Sequence, residues 1–109
     1  MVQDEFTIRS ATPGDEGGIA ALFTGLDPES ARMRFSHSVS TQELAALAAL
    51  HPGTTSLVAL HAGTVVGEAR YERTAEGQPP ELAMAIAVSR QGHGLGARLL
   101  AALREQARA

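Results

Sequence analysis

The segment Glu81–Gly96 contains an apolar strand pattern that runs into a glycine-rich turn and then directly into a helix pattern. The glycines at 92, 94 and 96 tolerate positive φ and remove the side chains that would keep a ligand away from the backbone. The following helix, predicted from Ala97 to Ala109, adds unpaired N–H donors and the positive end of its dipole. The segment therefore predicts a turn that binds a phosphate or pyrophosphate. The alternative is a plain strand-to-helix turn that needs glycine for geometry alone.

Composition limits the classes of protein to which the chain can belong. Its 109 residues suit one domain, expected over residues 1–109. Cysteine is absent, which excludes disulfides, thiol nucleophiles and thiolate metal sites. The first residues have neither a basic nor an apolar run and no later stretch could span a bilayer, so we expect a cytoplasmic protein that does not bind membranes. A net charge of −3 with scattered arginines lacks the basic patch of nucleic-acid binding, so no nucleic-acid partner is expected.

The first half of the chain reads as one strand followed by helices. Cap residues, prolines in first turns and a capping box mark the helix starts. The predicted elements are a strand at Phe6–Ser10, a helix that starts at Thr12–Asp15 and runs to about Gly25, a short helix over 31–35 after Asp27 and Pro28, and a helix that starts at Ser40–Glu43 and ends at Pro52 and Gly53.

The second half predicts strands. The stretches 54–61 and 64–73 are rich in Val, Thr and Leu around Ala62 and Gly63, which indicates an antiparallel hairpin. In the second arm alternate residues separate into two faces. The face expected to be buried carries Val65, Gly67, Ala69 and Tyr71, and the face expected to be in water carries Thr64, Glu68, Arg70 and Glu72. Residues 74–80 read as a loop by composition.

The strand that starts at Glu81 is apolar on both faces. Leu82, Met84, Ile86 and Val88 alternate with Ala83, Ala85 and Ala87, so a central position in the sheet is expected. In the final helix leucines at 95, 99 and 103 form a stripe that should pack on the sheet.

This order of elements, together with one motif, resembles the GNAT superfamily of acetyl-CoA-dependent N-acetyltransferases. The family signature is Gln/Arg-x-x-Gly-x-Gly/Ala, and Gln91-Gly-His-Gly-Leu-Gly96 matches it at each defined position. The segment Leu26–Phe35 also resembles a stretch of the GNAT domains of bacterial protein lysine acetyltransferases. The resemblance implies an α/β (α+β) fold with a GNAT-like mixed sheet, in the order strand, two helices, three strands and a final helix.

A complete GNAT domain continues into a fifth strand, which splays from the fourth and opens the wedge that holds the pantetheine arm. The sequence ends at Ala109, after the helix that precedes that strand. The resemblance therefore implies either a shortened form of the fold or a sheet completed by a second chain.

The resemblance also implies a binding site for acetyl-CoA. Backbone N–H groups would bind the pyrophosphate, and a strand edge would pair with the pantetheine amides. The implied pyrophosphate residues are Gln91, Gly92, His93, Gly94, Leu95, Gly96 and Ala97, and the implied edge is Ile86, Ala87 and Val88. Arg98, one turn into the helix, could reach a phosphate; an ordinary solvated arginine is the equal alternative.

Acetyl transfer to an amine requires a neutral amine, a polarised thioester carbonyl and a route that protonates the leaving thiolate. In the lysine acetyltransferases a glutamate commonly lies ten residues before the motif glutamine, and Glu81 occupies that position. The resemblance thus makes Glu81 the candidate general base, directly or through water; the alternative is a solvated carboxylate. Tyr71 receives no catalytic role. His37, His51 and His61 lack metal-site spacing, so no metal is expected.

The implied function is acetyl transfer from acetyl-CoA to a primary amine, with a protein lysine favoured over a small molecule. A second hypothesis is a non-catalytic GNAT module that binds coenzyme A weakly or self-associates as a homodimer through an exposed strand. A third is a dinucleotide-binding fold, since Gly92-x-Gly94-x-x-Ala97 also fits G-x-G-x-x-G/A. That motif belongs to the first strand and helix of a parallel unit, which disfavours it here.

Overall fold

The computed structural model describes residues 6–26, 29, 34, 41–72, 81–92 and 94–108. Its strands and helices occur in the expected order and confirm the α/β class. They are β1 Thr7–Ser10, α1 Glu16–Thr24, α2 Thr41–Ala48, β2 Thr54–His61, β3 Thr64–Glu72, β4 Glu81–Ile86 and α3 Leu95–Arg108. Short 3-10 turns at Pro13–Asp15 and Val88–Arg90 precede α1 and the glycine turn. The capping residue Ser40, most of the short helix predicted over 31–35 and the loop predicted over 74–80 lie outside the described residues.

The described strands form one sheet in the order β1-β2-β3-β4, and all three pairings are antiparallel. The β2–β3 hairpin turns at Ala62 and Gly63, whose φ values of 51° and 83° are those of a type I′ turn. Strand β4 pairs with β3 alone among the described strands. The central position predicted for β4 is therefore wrong for the described sheet, and Leu82 is 59% exposed because none of the described strands and helices covers it.

Helices cover both faces of the sheet. One core cluster joins α1, the end of α2 and the sheet through Ile19, Leu22, Phe23, Ala48, Val58 and Ala85. The other cluster packs α3 on the opposite face through Leu57, Ala59, Val66, Ala69, Leu95, Leu99 and Leu103. The leucine stripe predicted for the final helix is confirmed. The predicted start at Ala97 is wrong by two residues, because Gly94 at φ 79° is the last residue outside the helix and its carbonyl already accepts from the Arg98 amide.

Glycine at two positions lets the helices approach the sheet closely. A Cβ at Gly67 of β3 would lie 3.0 Å from Leu99 Cδ1 and 3.2 Å from Ile86 Cδ1. A Cβ at Gly18 of α1 would lie 2.9 Å from Val65 Cγ2. Both distances are shorter than ordinary carbon contacts, so a larger residue would push α3 or α1 away from the sheet.

The charged face of β3 is buried, which corrects the prediction that it faces water. Glu68 is 0% and Arg70 1% exposed. Alternation correctly groups Ala69 and Tyr71 on the α3 face but misplaces Val65. Because the register shifts between Ala59 and Leu60, Val66 joins the α3 cluster and Val65 packs on Gly18 of α1. Alternation also does not show that α1 and α2 cover the charged face. This burial requires partners for both charges, because an uncompensated charge in the core is costly.

Arg70 and Glu68 find those partners in each other, in β2 and at the end of α2. Glu68 Oε2 accepts hydrogen bonds from Arg70 Nε and Ser56 Oγ, each at 2.6 Å. Arg70 Nη1 and Nη2 donate to the carbonyls of Ala49 and Ala48 at 3.0 and 3.2 Å. These carbonyls lie at the negative end of the α2 dipole, where a cation stabilises the helix. Arg70 therefore fastens the end of α2 to the sheet.

Two acidic side chains, Glu16 and Asp15, form hydrogen bonds that join α1 to its neighbouring segments. Glu16 Oε2 accepts from the Leu50 amide at 2.6 Å, which ties the chain after α2 to the start of α1. Asp15 accepts from Arg9 Nη1 and from the Thr12 amide, both at 2.7 Å. The hydrogen bond from Arg9 is the main cause that lowers the pKa of Asp15 below its usual range. The entry into α1 is thereby tied to β1.

We predict that Arg70→Met lowers the free energy of unfolding by about 3–5 kcal/mol, because the change removes the cation that is hydrogen-bonded to the buried Glu68 carboxylate. Urea unfolding followed by circular dichroism measures this. Glu72→Gln is the matched control: Arg70 Nη1 also donates to Glu72 Oε1 at 3.0 Å, but the Glu72 side chain is 39% exposed. An exposed pair of this kind contributes only about 0–1 kcal/mol. Equal losses in the two variants would show that Arg70 does not stabilise the buried Glu68.

Candidate functional site

The glycine turn between β4 and α3 has the backbone geometry of an anion-binding site. Gly92 and Gly94 have φ values of 82° and 79°, and a Cβ at either would meet no other atom within 4 Å. The space in front of the turn is thus open, and glycine is needed there for its positive φ. The first intrahelical bond of α3 runs from the Arg98 amide to the Gly94 carbonyl at 3.2 Å. The three earlier amides, of Leu95, Gly96 and Ala97, have no acceptor within the helix. His93 lies outside the described residues.

Gln91 ties this turn to the end of β4. Its side-chain Nε2 donates to the Ile86 carbonyl at 3.1 Å, and its backbone N–H donates to the Val88 carbonyl at 3.3 Å. The sequence interpretation used only the backbone of Gln91 and missed this side-chain bond. A glutamine five residues after the end of a strand carries no local signal for it. Gln91 therefore fixes the turn relative to the strand that precedes it.

The predicted strand edge at residues 86–88 already makes hydrogen bonds within the protein. The Ala87 amide donates to Val66 O at 2.8 Å, and the Ala87 carbonyl accepts from the Arg90 amide at 2.8 Å. Val88 begins a 3-10 turn instead of extending the strand, and it is 50% exposed. A carbonyl oxygen has two lone pairs, so the carbonyls of residues 86–88 can each accept a second hydrogen bond from a ligand.

Glu81 lies at the other end of β4 from the turn. It is exposed, and its partner in the register with β3 is Glu72. At the rise of a β-strand, Glu81 and Ala87 are about 20 Å apart. The structure therefore does not bring Glu81 into contact with the turn, and only an extended ligand laid along β4 could touch both. Tyr71 is half-buried and packs against the α3 cluster, in agreement with a structural role.

A cleft of about 520 Å³ opens on the α1 side of the sheet, next to the end of β4. Small residues of α1 line it together with the β2–β3 turn, the Arg9–Asp15 pair and two residues after β4. The lining includes Gly14, Gly18, Ala21, Gly25, Gly63, Ala87 and Ser89. The sequence interpretation missed this cleft, although small residues at steps of three and four along α1 are a signal for a concave helix face. Through Ala87 the cleft borders the predicted cofactor edge.

Arg98 lies in the first turn of α3 and is exposed. Its guanidinium carbon is 5.9 Å from the centre of the Phe6 ring, so the side chain is held by an aromatic contact beside the turn.

The described part of the chain contains no group of three or more acidic or histidine side chains arranged to hold a metal ion. Within the same ranges, no helix is long and apolar enough to cross a membrane.

The dinucleotide-binding alternative is wrong on topology. That fold requires the glycine turn to follow a strand in a parallel βαβ unit. Here β4 precedes the turn and is antiparallel to its neighbour β3.

Solved structures match the fold. The GNAT domain of S. lividans PAT has a TM-score of 0.76 at 22% identity and covers 93% of this chain, which spans 64% of that one. YncA from Salmonella typhimurium, solved with its cofactor acetyl-CoA, has a TM-score of 0.73 at 28% identity; it covers 94% of this chain, which spans 63% of yncA. N-acetylglutamate synthase from Neisseria gonorrhoeae, complexed with coenzyme A and N-acetyl-glutamate, has a TM-score of 0.66 at 29% identity. It covers 98% of this chain, which spans 23% of the synthase. The chain thus spans less than two thirds of each of these proteins.

No curated protein matches the chain in sequence, but a family model does. The family model of the acetyltransferase (GNAT) family matches residues 21–109, which is most of the sequence. The chain therefore belongs to the GNAT acetyltransferase family.

Proposed function

We propose that this chain binds acetyl-CoA at the glycine turn and transfers the acetyl group to a primary amine. The observation that carries the proposal is the turn itself, where two glycines at positive φ lead directly into the unpaired amides of α3. Such a helix start favours a phosphate through both hydrogen bonds and dipole. The 28% identical yncA, solved with acetyl-CoA, supports this ligand.

In this proposal the pyrophosphate of coenzyme A lies against the backbone amides of residues 91–97, which include His93. Arg98, in the first turn of α3, binds a further phosphate of the cofactor beside this turn. The pantetheine arm follows the edge of Ile86, Ala87 and Val88, sharing carbonyls that already accept one bond inside the protein. An arm that continues along β4 in this direction points its far end toward Glu81. Residues 1–109 then form the N-terminal and central part of a single GNAT domain.

The chemistry requires one proton to leave the amine. Its nitrogen attacks the thioester carbonyl, a C–N bond forms, the C–S bond breaks, and the thiolate leaves and takes up a proton. We assign Glu81 as the general base that removes the amine proton, directly or through one water. Its exposure supports this role, because a carboxylate at the open end of the strand is accessible to an entering acceptor.

We propose a protein lysine as the acceptor. Glu81 and Glu72 face each other across β3 and β4, so a cationic amine that approaches this end of the sheet meets the exposed Glu81 carboxylate beside Glu72, which also accepts from Arg70. The resemblance of Leu26–Phe35 to lysine acetyltransferases supports the same choice, and that segment lies mostly outside the described residues. Residues 1–109 contain no lysine, so they do not supply a lysine acceptor themselves.

Calorimetric titration with acetyl-CoA tests the proposed cofactor site. Gly94→Glu should weaken binding about tenfold or more, equivalent to at least about 1.4 kcal/mol, because it adds a strained backbone and a negative charge at the turn. Gly17→Glu is the matched control, since a side chain at Gly17 on α1 meets nothing within 4 Å. It should bind like the parent. A Gly94→Glu variant with parental affinity would remove the turn from the binding site.

For catalysis, we expect Glu81→Gln to lower kcat about 10²–10⁴-fold, the usual contribution of a general base, with little change in the Kd for acetyl-CoA. Glu72→Gln, at the opposing position on β3, controls for the loss of one charge at this end of the sheet. Release of coenzyme A in the presence of a lysine-containing peptide reports turnover. Full turnover by the Glu81 variant would exclude it as the base.

The alternative function is a non-catalytic module that pairs with a second copy. One observation favours it: the described edge strand β4 and the turn after it expose Leu82, Met84 and Val88 by 59%, 39% and 50%. Exposed apolar edges tend to recruit another strand. Sedimentation at micromolar concentration should then show a homodimer or larger species, and Leu82→Glu should shift it toward monomer. A monodisperse parental monomer would argue against this pairing.

A further inference from the structure

Three side chains from separate elements contact the ring of Phe6. The guanidinium carbons of Arg90 and Arg98 lie 5.8 and 5.9 Å from its centre. The imidazole of His61, at the end of β2, lies 5.8 Å away at a 52° tilt. Arginines at this distance are attracted by the ring quadrupole. Phe6, just before β1, therefore gathers two positive charges at one place on the surface of the fold.

The two arginines flank the glycine turn. Arg90 directly precedes Gln91, and Arg98 is the residue whose amide closes the first turn of α3 on Gly94. Since both guanidinium groups lie over one ring, their separation cannot exceed the sum of their distances to its centre. Two arginines that both lie near one ring beside the turn raise the local positive potential there, which favours an anion with more than one negative charge.

We propose that Arg90 and Arg98, positioned by Phe6, form a second phosphate site beside the turn and bind the ribose 3′-phosphate of coenzyme A. This inference rests on the proposed function and deepens it. The backbone amides of the turn suit the pyrophosphate, while arginine forks suit a terminal phosphate with three open oxygens. A phosphomonoester carries about −1.5 to −2 charges near pH 7, more than either phosphate of a pyrophosphate diester bears alone. The arginine pair thus selects carriers with this phosphate over those without it.

The test compares coenzyme A with dephospho-coenzyme A, which lacks only the 3′-phosphate, by calorimetry on the whole chain. The parent should prefer coenzyme A about tenfold or more, as expected for charge-assisted bonds to a terminal phosphate. Arg98→Ala and Arg90→Ala should each lower this preference toward one, with the Kd for dephospho-coenzyme A changed by less than about twofold. Arg104→Ala removes the same charge from an exposed position further along α3 and should leave the preference intact.

Phe6 is a positioning residue in this proposal, and its variants separate that role from a purely structural one. Phe6→Leu retains an apolar side chain but removes the aromatic face, so the preference should fall. Phe6→Tyr retains the aromatic face and should retain the preference for coenzyme A over dephospho-coenzyme A. Urea unfolding checks that each variant is folded. A Phe6→Leu variant that is folded and keeps the full preference would overturn the role of the ring.

Three further outcomes would overturn the 3′-phosphate site. If the arginine variants weaken both ligands equally, the arginines contact the pyrophosphate, and the inference fails while cofactor binding stands. If the parent binds both ligands equally well, no 3′-phosphate site exists. If the folded parent binds neither ligand, both the inference and the proposed function fail. The acetyl-CoA titration tests the proposed function separately.

Discussion

The buried ion pair of Arg70 and Glu68 is the interaction on which the arrangement of this fold most depends. A guanidinium with nearly all of its donors satisfied by Glu68, Glu72 and the last carbonyls of α2 joins β3 to a helix that is far away in sequence. The arrangement has a cost, because Glu68 Oε1 is buried without a hydrogen-bond partner among the described residues. An apolar face would pack more cheaply, but only directional bonds fix where α2 ends relative to the strand.

On the opposite face the constraint is steric. Gly67 leaves room for Leu99 and Ile86, and this contact sets how closely α3 lies on the sheet. Since the amides of the glycine turn belong to the start of α3, the depth of this packing also sets their position relative to β4. The hydrogen bond from Gln91 to the Ile86 carbonyl holds the same relationship from the other side. Packing and a single side-chain bond thus position a site that consists mostly of backbone.

Local patterns predicted the features that local physics determines. The hairpin at Ala62-Gly63, the leucine stripe of α3 and the glycine turn follow from turn conformation and periodicity, and the structure agrees with them. The burial of Glu68 and Arg70 did not follow, because alternation along β3 separates two faces without saying which helix will cover each. The Phe6 contacts and the cleft along α1 were missed for the same reason, since both depend on elements distant in sequence. The edge position of β4 depends on which strands lie beside it, which its own composition does not state.

Strand β4 carries the glycine turn at one end and Glu81 at the other. The number of residues between them therefore sets the distance from the turn to Glu81. If a thioester carrier is anchored at the turn and its acyl group must arrive at Glu81, the length of the strand sets the length of the arm that fits. A shorter arm would stop beside the alanine face, and a longer one would have to fold back. Selection among acyl carriers would then depend on the length of one strand as well as on the edge at residues 86–88 that pairs with the arm.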